Sequence, residues 1–213
     1  MSAGSIVNPR NLRLKTFSSQ VAWTFVTRVL MIFNSVVAGV VVARWLGAEG
    51  VGQLAVINVA VGTIVQLGSF GLPSSNTYFI AQDQARFRAA AINSLIFALL
   101  VGGILAIGLS MLASVRADWF GFIPPELVRI ASISIPFQLI TLIGLNILLA
   151  VGRVRDFNLL DLAGQSFVLI NALLALIVLN RGLKTLITLN TVAAVLVSIV
   201  VGVLLLISAR SLV

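Results

Sequence analysis

Residues Phe17 to Ala43 read FSSQVAWTFVTRVLMIFNSVVAGVVVA, a run in which Arg28 is the only charge. A helix rises about 1.5 Å per residue and the hydrocarbon core of a bilayer is about 30 Å thick, so this run is long enough to cross it. A soluble core helix does not need so continuous an apolar stretch. No alternation of period two points to a barrel strand, and a lone strand cannot satisfy its backbone in lipid. The run therefore predicts a transmembrane helix.

Five further runs have the same character: Leu54 to Ile80, Ala89 to Ser114, Val128 to Gly152, Phe157 to Leu179 and Leu186 to Ala209. The fold class expected is all-α, a polytopic membrane protein whose six transmembrane helices form one bundle over residues 17–209. Residues 1–16, with Arg10, Arg13 and Lys15, form a short basic tail. The tail and first run together read as an uncleaved signal anchor, because the apolar segment is too long for a signal peptide. The connections carry turn chemistry: Arg44 to Gln53 holds Gly47, Gly50 and Gly52, and Arg116 to Leu127 holds Gly121, Pro124 and Pro125.

Composition agrees with this reading. The chain has 213 residues, of which 60% are hydrophobic and 9% charged, far below the quarter or so of charged residues in a soluble domain. Histidine and cysteine are both absent. That removes thiol nucleophiles, disulfides, an imidazole base and the usual zinc and haem ligands, and leaves six carboxylates for acid–base work, which argues against an enzyme. No cofactor or metal is indicated. The net charge of +8 is spread singly between apolar runs, without the basic stripe that nucleic acid requires.

These cations instead signal topology. Lys and Arg on alternate sides number eight with the N-terminal tail, Arg86, Arg88, Arg153, Arg155 and Arg210, against five at Arg44, Arg116, Arg129, Arg181 and Lys184. The bias places both termini in the cytoplasm.

Polar residues inside the runs supply the candidate site. At 100° per residue, Gln20, Thr24, Thr27, Arg28, Met31, Asn34 and Ser35 fall within an arc of about 120°. Such a stripe faces protein or water, so Arg28 is the candidate for an anionic group on a substrate. The alternative is that Arg28 snorkels to the interface or pairs internally. In the second run Asn58, Gly62, Gln66, Ser69 and Pro73 share a face, suited either to a cavity or to helix packing. In the fifth, Asn158, Asp161 and Gln165 share another. Asp161 is a candidate for ion coupling, sits at the interface, or pairs with Arg28 across the bundle. Pro136, close before Gln138, predicts a kink in the fourth run.

Three stretches resemble a known family. They are Ala43 to Leu54 (ARWLGAEGVGQL), Gly68 to Pro73 (GSFGLP) and Leu149 to Arg155 (LAVGRVR). Together they resemble the polysaccharide biosynthesis family, the O-antigen and exopolysaccharide flippases of the multidrug, oligosaccharidyl-lipid and polysaccharide exporter superfamily. That family has twelve to fourteen spans in two bundles around a central cavity, so the resemblance covers its N-terminal half only. It implies a membrane transport protein, or half of one, that moves a polyprenyl-diphosphate-linked oligosaccharide across the cell inner membrane. The partner expected is a second copy or a second six-helix half. Arg28, Gln20, Asn34 and Gln66 are the cavity candidates, with Arg28 on the anion and the amides on polar groups. A cation-coupled drug exporter of the same superfamily is the first alternative, disfavoured because Asp161 is the only acid within a run. The second is a non-transporting scaffold or an inactive half-length remnant.

Overall fold

The computed structural model describes the backbone of residues 9–211 and the side chains of 21–116 and 118–209. Residues 1–8 of the basic tail, and the side chains of Arg10, Arg13, Lys15 and Gln20, therefore lie outside the described residues. Among the described residues the regular elements are all helices: α1 (Pro9–Gly68), α2 (Leu72–Gln82), α3 (Phe87–Val115), α4 (Pro125–Ser132), α5 (Ile135–Ala150), α6 (Val154–Ala172) and α7 (Leu183–Ser211). Short 3-10 turns precede α3 and α4, and a π-helical turn, Leu173–Val178, extends α6.

Five helical segments are long and apolar enough to cross a membrane: Val21–Gly68, Gln84–Val115, Pro125–Ala150, Val154–Val178 and Leu183–Ala209. The all-α membrane architecture is thus as expected, while the first expected span and the first part of the second, to Gly68, fall within one helical segment. The connector Arg44 to Gln53, expected as a loop, is helical at every residue except Gly47. Gly47 takes φ 66° and ψ −175°, outside the helical region and open to glycine without penalty. Its neighbours Leu46, Ala48 and Glu49 are good helix formers, so the break is confined to one residue.

The second expected span is itself divided. Helix α1 stops at Gly68, Phe70 (φ 46°) and Gly71 (φ 73°) adopt left-handed conformations, and α2 restarts with Pro73 in its first turn. Proline is suited there because its missing N–H has no helical acceptor to lose. The expected kink near Pro136 is seen as a break between α4 and α5 at Ile133 and Ser134. Pro136 cannot donate to the Ser132 carbonyl, and a tight Ser134 N–H to Ala131 bond of 3.0 Å takes up the turn.

The core lies where α5 meets α3, α2 and α7. Ile135, Leu139, Ile143, Ile147 and Leu148 of α5 are almost fully buried. At Gly102 of α3 the backbone passes so close to Pro136 that an added Cβ would lie 2.5 Å from its Cα. The α4–α5 stretch and the turn after it advance together with α7, from the Thr191 hydroxyl on the Ile130 carbonyl (3.3 Å), past Gly144 against Val201, to Arg153 on the Ser208 hydroxyl. Arg44, Arg86 and Arg116 lie 5.7, 5.8 and 5.0 Å over the rings of Trp45, Phe79 and Trp119. Such cation–aromatic pairs suit the membrane–water boundary, where an apolar ring and a charge are both accommodated.

Candidate functional site

The polar stripe of α1 is met by a polar face of α6. Asn158 Nδ2 donates to Thr24 Oγ1 at 2.8 Å, Arg28 NH1 lies 3.1 Å from Asp161 Oδ2, and Asn34 Nδ2 donates to Ser166 Oγ at 3.0 Å. The three pairs advance in the same direction on both helices, so this part of α1 runs parallel to α6. The helices meet here through polar groups because an apolar face gains nothing by leaving lipid for another apolar face, whereas paired polar groups do.

The pairing does not enclose Arg28. Its side chain remains 52% exposed, against 25% for Asp161. Its only other contact of this kind among the described residues is with Met31 Sδ at 3.6 Å. A guanidinium carries five N–H donors, so donors remain on the open edge of the stripe. Thr27 is buried, and its hydroxyl turns back to the Trp23 and Thr24 carbonyls (3.0 and 2.9 Å). Asn158 is fully buried, and its Oδ1 has no hydrogen-bond partner among the described residues.

Arg28, Asn34 and Asp161 are thus brought into one seam. Gln66 is not: it is exposed on the other part of α1, its carbonyl accepts the Ser69 hydroxyl at 2.8 Å, and no bond among the described residues joins it to Arg28. Gln165 is also exposed, and no hydrogen bond among the described residues joins it to α1. No group of three or more carboxylates that could hold a metal occurs among the described residues.

A second polar cluster was only half legible in the sequence. A cavity of about 60 Å³ between α1, α4, α5 and α7 is lined by Asn58, Ser134, Gln138, Asn190 and Thr191. Gln138 Nε2 donates to Ser134 Oγ (2.8 Å), which donates to the Ala131 carbonyl (2.6 Å), and Asn171 Nδ2 donates to Asn190 Oδ1 (2.9 Å). Asn58 and Gln138 stood out along their own runs. The adjacent pair Asn190 and Thr191, in a run otherwise rich in Val and Leu, was the signal for the rest.

Two chemistries are available here. The Arg28 edge carries charge-assisted donors suited to an anion, and Asp161 engages the guanidinium. The small cavity offers only neutral amides and hydroxyls. No protein-family model, curated protein or solved structure matches the chain.

Proposed function

We propose that the chain is a six-span bundle, one half of a membrane transport protein that moves a polyprenyl-diphosphate-linked oligosaccharide across the cytoplasmic membrane, with both termini cytoplasmic. The observation that carries this reading is the half-exposed Arg28 on the outer edge of the bundle, still holding free donors beside Asp161. An ion pair facing hydrocarbon is costly, so that edge faces a hydrated cavity closed by a second bundle. The diphosphate, attracted there, competes with Asp161 for the guanidinium, while the polyprenyl tail stays in lipid. The substrate class itself comes from the resemblance of the three stretches named above.

The direction of the helices supports six spans rather than five. Residues 24–34 run with α6, whereas Leu54 packs near Leu186 at the start of α7 and Gly68 lies against Leu105 and Leu139. Phe70 then meets Phe97, and Asn76 meets Ser94 at 2.7 Å, so the chain descends antiparallel to α3. Helices α6 and α7 are antiparallel neighbours, joined by the Asn171–Asn190 bond near their shared turn. The two parts of α1 therefore point in opposite senses, and Gly47 is their reversal. As one rod, the 48 residues of this segment would be about 72 Å long, more than twice the hydrocarbon thickness.

The test is the variant Arg28→Ala in a strain whose surface polysaccharide depends on this chain. Export is lost while membrane insertion is retained; normal export removes Arg28 from the mechanism. A second reading, a non-transporting scaffold, is favoured by the same seam, since the three polar pairs also serve as packing contacts. It predicts that the double variant Arg28→Leu with Asp161→Leu keeps whatever function the chain has.

A further inference from the structure

A groove of about 530 Å³ runs between α1 and α6 on the flank away from Arg28, lined by Ala22, Trp23, Val26, Arg155 and Leu159. Its volume falls within the roughly 300–1,000 Å³ of small-ligand sites. At 100° per residue, Trp23 and Val26 lie about 140–160° around α1 from Arg28, so the two sites occupy opposite edges of the same helix contact. Four of the five lining residues are apolar, and the fifth is a cation.

That cation stands apart from its neighbours. Arg153 is engaged by Asp156 at 2.5 Å and by the Ser208 hydroxyl. Arg155 is exposed and has no ion-pair partner among the described residues. It lies three residues past Gly152, at the start of α6 and so at the surface end of the groove, with Leu159 one turn deeper and the Thr24–Asn158 bond behind it.

We infer that this groove holds one monoanionic phospholipid of the adjoining leaflet, its phosphate on Arg155 and an acyl chain along Val26 and Leu159. An indole at this level suits Trp23 to the glycerol and headgroup region. The single unpaired cation matches the one charge of a phosphodiester, and a diphosphate would leave charge uncompensated. Apolar walls gain little by exchanging one acyl chain for another, so Arg155 supplies the headgroup preference and the groove supplies the place. The inference rests on the membrane reading but not on transport, so it stands or falls separately from the export assay on Arg28→Ala.

Native mass spectrometry of the detergent-purified chain tests it, with phosphatidylglycerol, phosphatidylcholine of the same acyl chains, polyprenyl diphosphate and inorganic phosphate as probes. Phosphatidylglycerol is retained in preference to phosphatidylcholine, and phosphate alone does not bind. Arg155→Gln weakens retention about fivefold, the effect of one basic residue at an anionic surface. Arg155→Lys keeps most of it. Arg88→Gln, which removes an exposed cation on the same side without a groove, changes nothing. Leu159→Trp, or Ala22→Trp from the opposite wall, fills the groove and abolishes retention with the charge still present; having both guards against one of them misfolding. Equal retention of the two phospholipids, an equal loss in Arg88→Gln, or full retention in both groove-filling variants would overturn the proposal. So would capture of free phosphate, or tighter binding of the polyprenyl diphosphate, that is lost in Arg155→Gln.

Discussion

Replacing Gly102 by alanine drives a methyl group into the backbone of a neighbouring helix. The new Cβ would lie 2.5 Å from Pro136 Cα, 2.9 Å from its Cβ and 3.1 Å from Leu139 Cδ1. Carbon atoms pack best at about 3.5–4.0 Å, so α3 and α5 must part by about 1 Å. Pro136 cannot relieve the clash by rotating a side chain, because its ring is tied to the backbone. The α3–α5 contact is the most extensive between helices here, and a gap of about 0.5–1 Å forfeits a quarter to a half of each atom pair's attraction. Over-packing in tight cores costs about 1–3 kcal/mol, and a backbone clash belongs at the upper end, about 2–3 kcal/mol. Gly103 is the internal control: a Cβ there meets nothing within 4 Å, so Gly103→Ala is neutral or favourable by up to about 1 kcal/mol through helix propensity. Reversible unfolding in mixed micelles of increasing SDS fraction measures both. If Gly102→Ala unfolds at the wild-type midpoint, or the two variants shift alike, the close approach of α3 and α5 is refuted.

Asp161→Asn leaves the half-exposed Arg28 without its carboxylate and should destabilise the bundle by about 0.2–1 kcal/mol in the same assay, with Arg28→Leu/Asp161→Leu recovering most of the loss. Equal midpoints for Asp161→Asn and the double variant would show that the pair is not coupled. Asn76→Ala breaks the buried 2.7 Å bond to Ser94; a cycle with Ser94→Ala should return a coupling of about 0.6–1.7 kcal/mol, and additive losses would count against the bond. Gly71→Ala forces a side chain into φ 73° and should lower stability by about 1–2 kcal/mol, whereas Gly164→Ala, with open space and ordinary helical φ, should not.

Apolar run length made the helical membrane class legible, and two helices, α3 and α7, begin and end within three residues of their expected limits. Hydropathy weighs side chains and is blind to φ. It therefore smoothed over the left-handed turn at Phe70 and Gly71, and it treated three glycines in Arg44 to Gln53 alike although only Gly47 leaves the helix. Helical periodicity was enough to put Thr24, Arg28 and Asn34 on one face, and Asn158 and Asp161 on another. What the sequence does not contain is the parallel register that sets those faces together. The same gap separated Asn58 from Asn190 and Thr191, which converge only once α1, α5 and α7 are packed. Gln66 shows the reverse error, a polar residue on the polar face of its own run that is exposed and has no bond to Arg28 among the described residues.

The central claim is that the Arg28 edge of α1 lines water rather than lipid. Because the chain has no cysteine, single thiols can be introduced without background. Ser35 lies about 20° from Arg28 around the helix, and Phe33, 62% exposed, lies about 140° away. In membrane vesicles treated with a membrane-impermeant maleimide, the account predicts that Ser35→Cys is modified and Phe33→Cys is protected. Protection of both, or equal modification of both, would contradict it.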